Sequence, residues 1–111
     1  MVGCSLFLEF IMRNVYILND GGHDYSAAEE FGKLVYCSKG LLNKHDIHQM
    51  FRMLTDALAD AQADDCIIFS SLGTLCSVAT AIMVEKFGEV HFLIFNNNAY
   101  KEYTLVTRAR E

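Results

Sequence analysis

A chain of 111 residues has the length of one domain, and its apolar content of 52% predicts a packed core rather than disorder. Its net charge of −5, with lysines and arginines scattered, argues against a nucleic-acid groove and against an anionic membrane surface, since both need a basic face. The four cysteines form no C-x-x-C pair and lie mostly in apolar runs, which favours buried, reduced thiols and a cytoplasmic protein.

Residues 1–11 form an apolar stretch that is too short to span a bilayer. The stretch lacks the basic leader and the cleavage pattern of a signal peptide, and Glu9 interrupts it. A second methionine, Met12, stands directly before the first clear strand. We therefore predict an N-terminal extension over residues 1–11 and a single α/β domain over residues 12–111. An added edge strand or an oligomer contact is the alternative for the extension.

The rest of the chain alternates short apolar runs with helical segments. The runs end at clusters of glycine, asparagine or serine, and the helical segments carry apolar residues at helical spacing. Asp46 is placed to cap the second helix, and Ser26 with Glu29 has the spacing of a capping box at the first. The predicted strands are residues 14–18, 33–38, 66–69, 90–95 and 100–107, and the predicted helices are residues 26–32, 46–61 and 74–87.

The resulting order is β-α-β-α-β-α-β-β. Three helical connections predict a mostly parallel sheet with right-handed crossovers. Asn96 to Ala99 has turn composition, and the alternating residues after it predict an antiparallel C-terminal edge strand. The predicted fold is therefore a three-layer, Rossmann-like or flavodoxin-like α/β domain.

The third predicted helix, residues 74–87, is apolar nearly all round until Glu85 and Lys86. Such a helix is buried on more than one side. The two explanations are a homo-oligomer contact and a tight position between the sheet and a neighbouring helix. We predict a homo-oligomer through this helix.

The candidate ligand site lies in the loops that follow the first and third strands. Ligands of open α/β sheets bind past the carboxyl ends of the strands, where the strand order reverses. If the order is 2-1-3-4, the first and third strands are neighbours and their loops face each other. The predicted ligand-binding residues are Asn19, Asp20, Gly21, Gly22, His23, Asp24, Ser70, Ser71, Gly73 and Thr74.

Each loop has a functional and a structural explanation. Residues 70–74 can form an anion cradle of helix N-terminal amides and hydroxyls, or an ordinary helix cap. Residues 19–24 can recognise a ribose, or pair Asp24 with His23 in acid–base chemistry, or simply make a turn. No metal ligand set, cofactor motif or catalytic set is recognised.

Three stretches carry a resemblance to a family of small proteins found in tailed-phage and environmental viral genomes. They are Met12 to Asn19, Gly22 to Ser26 with Phe31-Gly32, and Ser71 to Ser77. The resemblance implies a viral protein of the host cytoplasm and brings no established activity with it. Gly73-Thr74 also resembles the helix-opening turn of nucleotide-handling LOG/SLOG domains, although Ser70 and Ser71 stand where that family has glycines and its catalytic Arg and Glu are missing.

We therefore expect a small-ligand-binding module that takes a nucleotide-derived molecule and possesses no catalytic set. In a phage, such a module would sequester a signal of host immunity. A small nucleoside or glycosyl hydrolase or transferase, with Asp20, His23 or Asp24 in acid–base roles, is one alternative. A protein-interaction domain that uses helix 74–87 is the other.

Overall fold

The computed structural model describes residues 13–43, 45–69 and 72–108. The predicted extension, together with Ser70 and Ser71, lies outside these residues. The strands are β1 (Asn14–Ile17), β2 (Lys33–Tyr36), β3 (Cys66–Ile68), β4 (Glu89–Asn96) and β5 (Ala99–Val106), and the helices are a 3₁₀ helix (Ser26–Phe31), α1 (Ile47–Ala57) and α2 (Gly73–Phe87).

The five strands form one mixed sheet in the order β2-β1-β3-β4-β5. The first four strands are parallel, and β5 runs antiparallel to β4. The predicted mostly parallel sheet with an antiparallel C-terminal edge strand is therefore confirmed. Because β1 and β3 are parallel neighbours, their carboxyl ends lie side by side, on the side of the sheet where the parallel strands end.

The sheet buries a different set of side chains on each face, because successive residues of a strand point to opposite sides. Tyr16, Ile67 and Val90 pack with α1 and α2 on one face. On the other face, Val15, Ile17, Cys66, Ile68 and Leu93 pack with the 3₁₀ helix. Both α-helices thus cover the same face, and the 3₁₀ helix is the one helical element that the described residues place on the other. The complete three-layer arrangement stays a prediction.

The first helix differs from its prediction in type and in capping. It is a 3₁₀ helix, and Ser26 is its first residue rather than its cap, so the predicted capping box does not form. Gly32 follows the helix for a steric reason: a Cβ atom there would lie 2.3 Å from the carbonyl oxygen of Arg13. The backbone of Gly32 thus passes directly over the start of β1.

The longer helices begin and end for identifiable reasons. The Asp46 carboxylate accepts a hydrogen bond from the Gln49 N–H at 3.1 Å and caps α1 as predicted. α1 ends at Ala57, four residues earlier than expected, and Lys86 Nζ donates to the carbonyl oxygens of Leu58 and Ala59 just beyond it, at 2.9 and 3.2 Å. α2 ends at Gly88, which adopts the left-handed conformation.

Most of the apolar surface of α2 is buried within the protein itself. Leu75, Cys76, Ala79, Ile82 and Met83 are buried, and α2 packs against both α1 and the sheet. Its exposed residues include the small Gly73, Ser77 and Ala81, one turn apart. A position between sheet and helix therefore accounts for most of its composition, and a homo-oligomer through this helix stays a prediction.

Three of the four cysteines lie within the described residues and are free thiols. Cys66 and Cys76 are buried, and Cys37 is partly buried. Burial raises the pKa of the Cys37 and Cys66 thiols to about 12, which keeps them protonated and unreactive at neutral pH. Among the helices within residues 13–43, 45–69 and 72–108, none has the length and hydropathy of a membrane-spanning segment.

Candidate ligand-binding site

The strand order brings the two predicted loops together at the carboxyl ends of the parallel strands. Residues 19–24 follow β1, and the start of α2 follows β3, its parallel neighbour. The two loops nevertheless border different cavities. His23 and Asp24 line a cleft with residues of the 3₁₀-helix face, whereas Gly73 and Thr74 line a groove on the face that carries α1 and α2.

In the loop after β1, several backbone amides already have partners inside the protein. The N–H of Asp20 donates to the Ser38 carbonyl at 2.8 Å. The N–H of Gly22 donates to the Asp20 carboxylate at 3.1 Å, and the N–H of Ser26 donates to Asp24 at 2.9 Å. This loop therefore offers side chains, rather than these amides, to a ligand.

Asn19 joins this loop to the end of β2. Its side-chain amide donates to the Gly40 carbonyl at 2.8 Å, and its Oδ1 lies 2.8 Å from the Ser38 hydroxyl. A short parallel bridge between Asp20 and Lys39 continues the contact. Asn19 and Asp20 thus position the loop that carries His23 and Asp24.

His23 and Asp24 line an aromatic cleft of about 230 Å³, together with Tyr25, Phe95 and Tyr100. The rings of Phe95 and Tyr100 meet edge to face with centroids 5.0 Å apart. These two residues are register partners that flank the β4–β5 turn, so the hairpin itself builds one wall of the cleft. Sequence reasoning missed this wall, although the two aromatic residues on either side of the asparagine turn were its signal.

The Asp24 carboxylate is exposed, and its pKa is lowered because it accepts the hydrogen bond from the Ser26 N–H. A general acid needs the opposite shift, toward a raised pKa. Asp24 is therefore suited to accept hydrogen bonds from a ligand rather than to donate a proton to it.

The first turn of α2 is the more open half of the predicted site. Its N-cap residue, Leu72, supplies no side-chain hydrogen bond, and the first helical bond runs from Cys76 N–H to the Leu72 carbonyl at 3.0 Å. The hydroxyl oxygen of Thr74 is buried and has no hydrogen-bond partner within residues 13–43, 45–69 and 72–108. A buried hydroxyl without a partner destabilises the folded protein, so a ligand group that formed a hydrogen bond with it would remove this free-energy cost.

Gly73 and Thr74 open onto a groove of about 530 Å³ between α1, α2 and the end of β3. Its apolar lining includes Ile47, Val78 and Phe69, and Phe69 is 46% exposed although it directly follows a buried strand. The Phe69 ring meets Phe92 edge to face at 5.5 Å, which fixes its position. The groove thus combines a helix N-terminus with an aromatic surface.

A second groove, of about 560 Å³, lies farther along the same two helices and shares Ala81 with the first. Its other lining residues are Phe51, Thr55, Ala59, Ile82, Glu85 and Lys86. Ile47 and Phe51 of α1 are each 51% exposed, although helical spacing places them on the apolar side of the helix. Ser77 and Ala81 of α2 have small side chains. The Ile47 and Phe51 side chains therefore border grooves beside α2 instead of packing in the core.

Comparison with known proteins places the chain in a family. The family model described as "Phage Pam3 gp32-like protein" matches residues 13–107, and the chain belongs to this family. The predicted membership of a phage protein family is therefore confirmed, whereas the likeness to LOG/SLOG domains is not supported. No curated protein and no solved structure shows a significant match.

Proposed function

We propose that this member of the phage family is a small-ligand-binding module for a nucleotide-derived molecule. Its phosphate would sit on the first turn of α2, and its base would lie in the adjoining groove against Phe69. The observation that carries the proposal is the N-terminus of α2, where the Thr74 hydroxyl is buried and has no partner among the residues that the structure describes.

The chemistry of this turn suits an anion in spite of the net charge of −5. The N-terminus of a helix carries about half a positive charge, and its first N–H groups have no partner within the helix. Gly73 has no side chain, and the space above its Cα is open, so a phosphate oxygen can approach the backbone closely. Backbone amides and a hydroxyl therefore replace the basic residues that the site lacks.

The groove gives a reason to expect an aromatic group on the same ligand. Its exposed Phe69 ring is held by Phe92, and the Ile47 and Val78 side chains line the same groove. Stacking of a base on an aromatic side chain contributes about 1–3 kcal/mol. In a phage, a module of this kind would withhold a nucleotide-derived immune signal, such as an ADP-ribose-like or cyclic nucleotide, from the host.

A matched pair of glycine variants tests the site. Gly73→Asp places a carboxylate at the proposed phosphate position, and Gly21→Asp places one in the loop after β1, where the space is equally open. With a panel of nucleotides and inorganic phosphate, we expect thermal stabilisation of the wild type and of Gly21→Asp, but not of Gly73→Asp. The same stabilisation in all three proteins would reject the site.

Sequestration and turnover are distinguished by what is recovered. A module that only binds returns its nucleotide unchanged after denaturation, whereas a hydrolase or transferase returns products. Mass spectrometry of the recovered ligand decides between them, with Asp24→Asn as the variant that an acid–base mechanism would inactivate.

The aromatic cleft is a second candidate site, favoured by its edge-to-face ring pair and the ionised Asp24 at its edge. A nucleoside would stack on the rings and donate ribose hydroxyls to the carboxylate. Phe95→Ala would weaken binding in the cleft and leave binding at Gly73 unchanged, so the two sites can be separated.

A further inference from the structure

The sheet ends in two unequal edges. β2 is a four-residue strand that begins with Lys33, and Lys39 follows it in the bridge to Asp20. β5 has eight residues with no proline and a single lysine, Lys101, and it exposes Tyr103, Leu105 and Val106. Short strands and lysines protect a sheet edge, whereas a long apolar edge is a template for another strand. No strand within residues 13–43, 45–69 and 72–108 pairs with the outer side of β5.

The hairpin fixes which peptide groups of β5 face outward. β4 and β5 are joined by the two-residue turn Asn97-Asn98, so Asn96 and Ala99 form a hydrogen-bonded pair and every second pair after it does too. The bond from Thr107 N–H to the Gly88 carbonyl, at 2.8 Å, continues this alternation. The residues whose N–H and C=O groups point away from β4 are therefore Tyr100, Glu102, Thr104 and Val106.

These outward groups are complementary to a second copy of themselves. In an antiparallel pair centred on Tyr103, Tyr100 lies opposite Val106 of the other copy, and Glu102 lies opposite Thr104. All four outward residues then find hydrogen-bonded partners. A shift of the register by two residues in one direction places the Glu102 carboxylates of the two copies opposite each other. A shift by two residues in the other direction leaves Tyr100 without a partner, because the position opposite it lies beyond the end of the other β5.

Side chains favour the same register. Tyr103 and Leu105 lie opposite Phe92 and Val90 of β4, on the face that carries the α-helices, and each is 47% exposed. In this register Tyr103 meets its own copy, and Leu105 meets Lys101. No like charges are opposed, and Glu102 is already paired with Arg13. Aromatic cross-strand pairs stabilise sheets, and tyrosine is enriched at interfaces.

We infer that two copies of this chain associate through their β5 strands about a two-fold axis at Tyr103, joining two five-stranded sheets into one. The interface is isologous, because the same strand contributes from both copies. It lies at the β5 edge of the sheet and does not involve the α2 groove, whereas it shares Tyr100 with the aromatic cleft.

Disulfide trapping tests the register. Tyr103 and its copy form a non-hydrogen-bonded pair with Cα atoms about 4.5 Å apart, within the range that a disulfide spans. Leu105 and its copy would be about 14 Å apart, because each lies opposite Lys101 of the other strand. Under mild oxidation we therefore expect Tyr103→Cys to form a covalent dimer and Leu105→Cys, a change of equal exposure on the same face, to stay uncrosslinked.

Solution mass tests the association itself. Light scattering should give twice the 12.5 kDa of the chain for the wild type. Tyr103→Lys opposes two ammonium groups and should weaken the dimer tenfold or more. Tyr36→Lys, the same change at similar exposure on the opposite edge strand β2, should leave it intact. A wild-type monomer, equal cross-linking of both cysteine variants, or a dimer that Tyr103→Cys fails to trap would overturn the inference, and the last result would point to the α2 face.

Discussion

The guanidinium of Arg13 donates two hydrogen bonds to the Glu102 carboxylate, at 3.0 and 2.8 Å, and so joins the residue before β1 to the edge strand β5. A third bond runs from Arg13 Nε to the Asp64 carbonyl, just before β3, at 2.7 Å. The pair lies across the face of the sheet that the α-helices do not cover. Its side chains are 21% and 29% exposed, so solvent screens the interaction only in part.

We predict that Glu102→Gln lowers the free energy of unfolding at neutral pH by about 1 kcal/mol, through loss of this charged, two-point contact. The pKa of Glu102 is lowered, first by its hydrogen bond from Arg13. Its contribution is therefore present above the ordinary glutamate pKa and is lost as the pH falls through the lowered one.

Urea unfolding across the acid range measures this effect. The wild type and Glu102→Gln should converge at low pH, whereas the exposed Glu30→Gln should follow the wild type throughout. A constant gap between the wild type and Glu102→Gln at every pH would contradict the electrostatic explanation.

Asp65 is a second tie to the start of β1. It is 2% exposed, and its two oxygens accept hydrogen bonds from the N–H groups of Asn14 and Gln62, at 3.0 and 2.8 Å. Asp65→Ala leaves both donors without a partner and should cost about 3 kcal/mol, with Asp65→Asn in between because it keeps one acceptor. Chemical denaturation measures the series, and equal losses for the two variants would show that the hydrogen bond kept by Asp65→Asn contributes nothing.

Thr74→Val should raise the stability of the ligand-free protein by about 1 kcal/mol, because it removes a buried hydroxyl that has no partner in the described part of the chain and keeps the shape of the side chain. The same change should weaken phosphate binding at α2. Thermal unfolding with and without nucleotide gives both quantities. A variant less stable than the wild type would mean that the hydroxyl has a partner within the protein.

The β4–β5 turn contains two asparagines in the left-handed conformation, with φ of 53° at Asn97 and 68° at Asn98. Asn-Gly is the favoured sequence for such a turn. Asn98→Gly should therefore add a few tenths of a kcal/mol to the unfolding free energy, and Asn98→Ala should subtract about 1 kcal/mol because alanine is strained there. Equilibrium unfolding of both variants checks the opposite signs.

Cys66 should resist alkylation in the folded protein. Its side chain is inaccessible to the reagent. Burial also raises the pKa of the Cys66 thiol to about 12, so the reactive thiolate form is scarce at neutral pH. Iodoacetamide labelling with peptide mass mapping should modify Cys66 only at the rate of global unfolding. Labelling of Cys66 at the rate of a free thiol would reveal local opening of β3.

Most of the fold was predictable because it depends on local signals. Apolar runs and glycine breakers gave the strands, Asp46 gave the start of α1, and the Asn97-Asn98 turn gave the final hairpin. The requirement for glycine at position 32 was not predictable, because it comes from contact with Arg13, a residue nineteen positions earlier. Contacts of this kind depend on how the elements meet in space.

The candidate site was predictable only in part. β1 and β3 are adjacent, so both loops lie at the carboxyl ends of neighbouring strands, as expected for the strand order 2-1-3-4. That they border cavities on opposite faces depends on both α-helices lying on one side, which no local pattern specifies. Phe69 and Phe95 were likewise assigned only to strands, because their exposure depends on where α2 and the hairpin end.

The pairing of β4 with β5 has a consequence for how the chain reaches its native state. Its eight residue pairs close across a two-residue turn, whereas β1 meets β3 through residues such as Val15 and Cys66, which are far apart along the chain. Local contacts close faster than distant ones. The hairpin should therefore form while the parallel strands are still unpaired, so its apolar edge is available to other molecules before folding is complete, and refolding yield should fall as protein concentration rises.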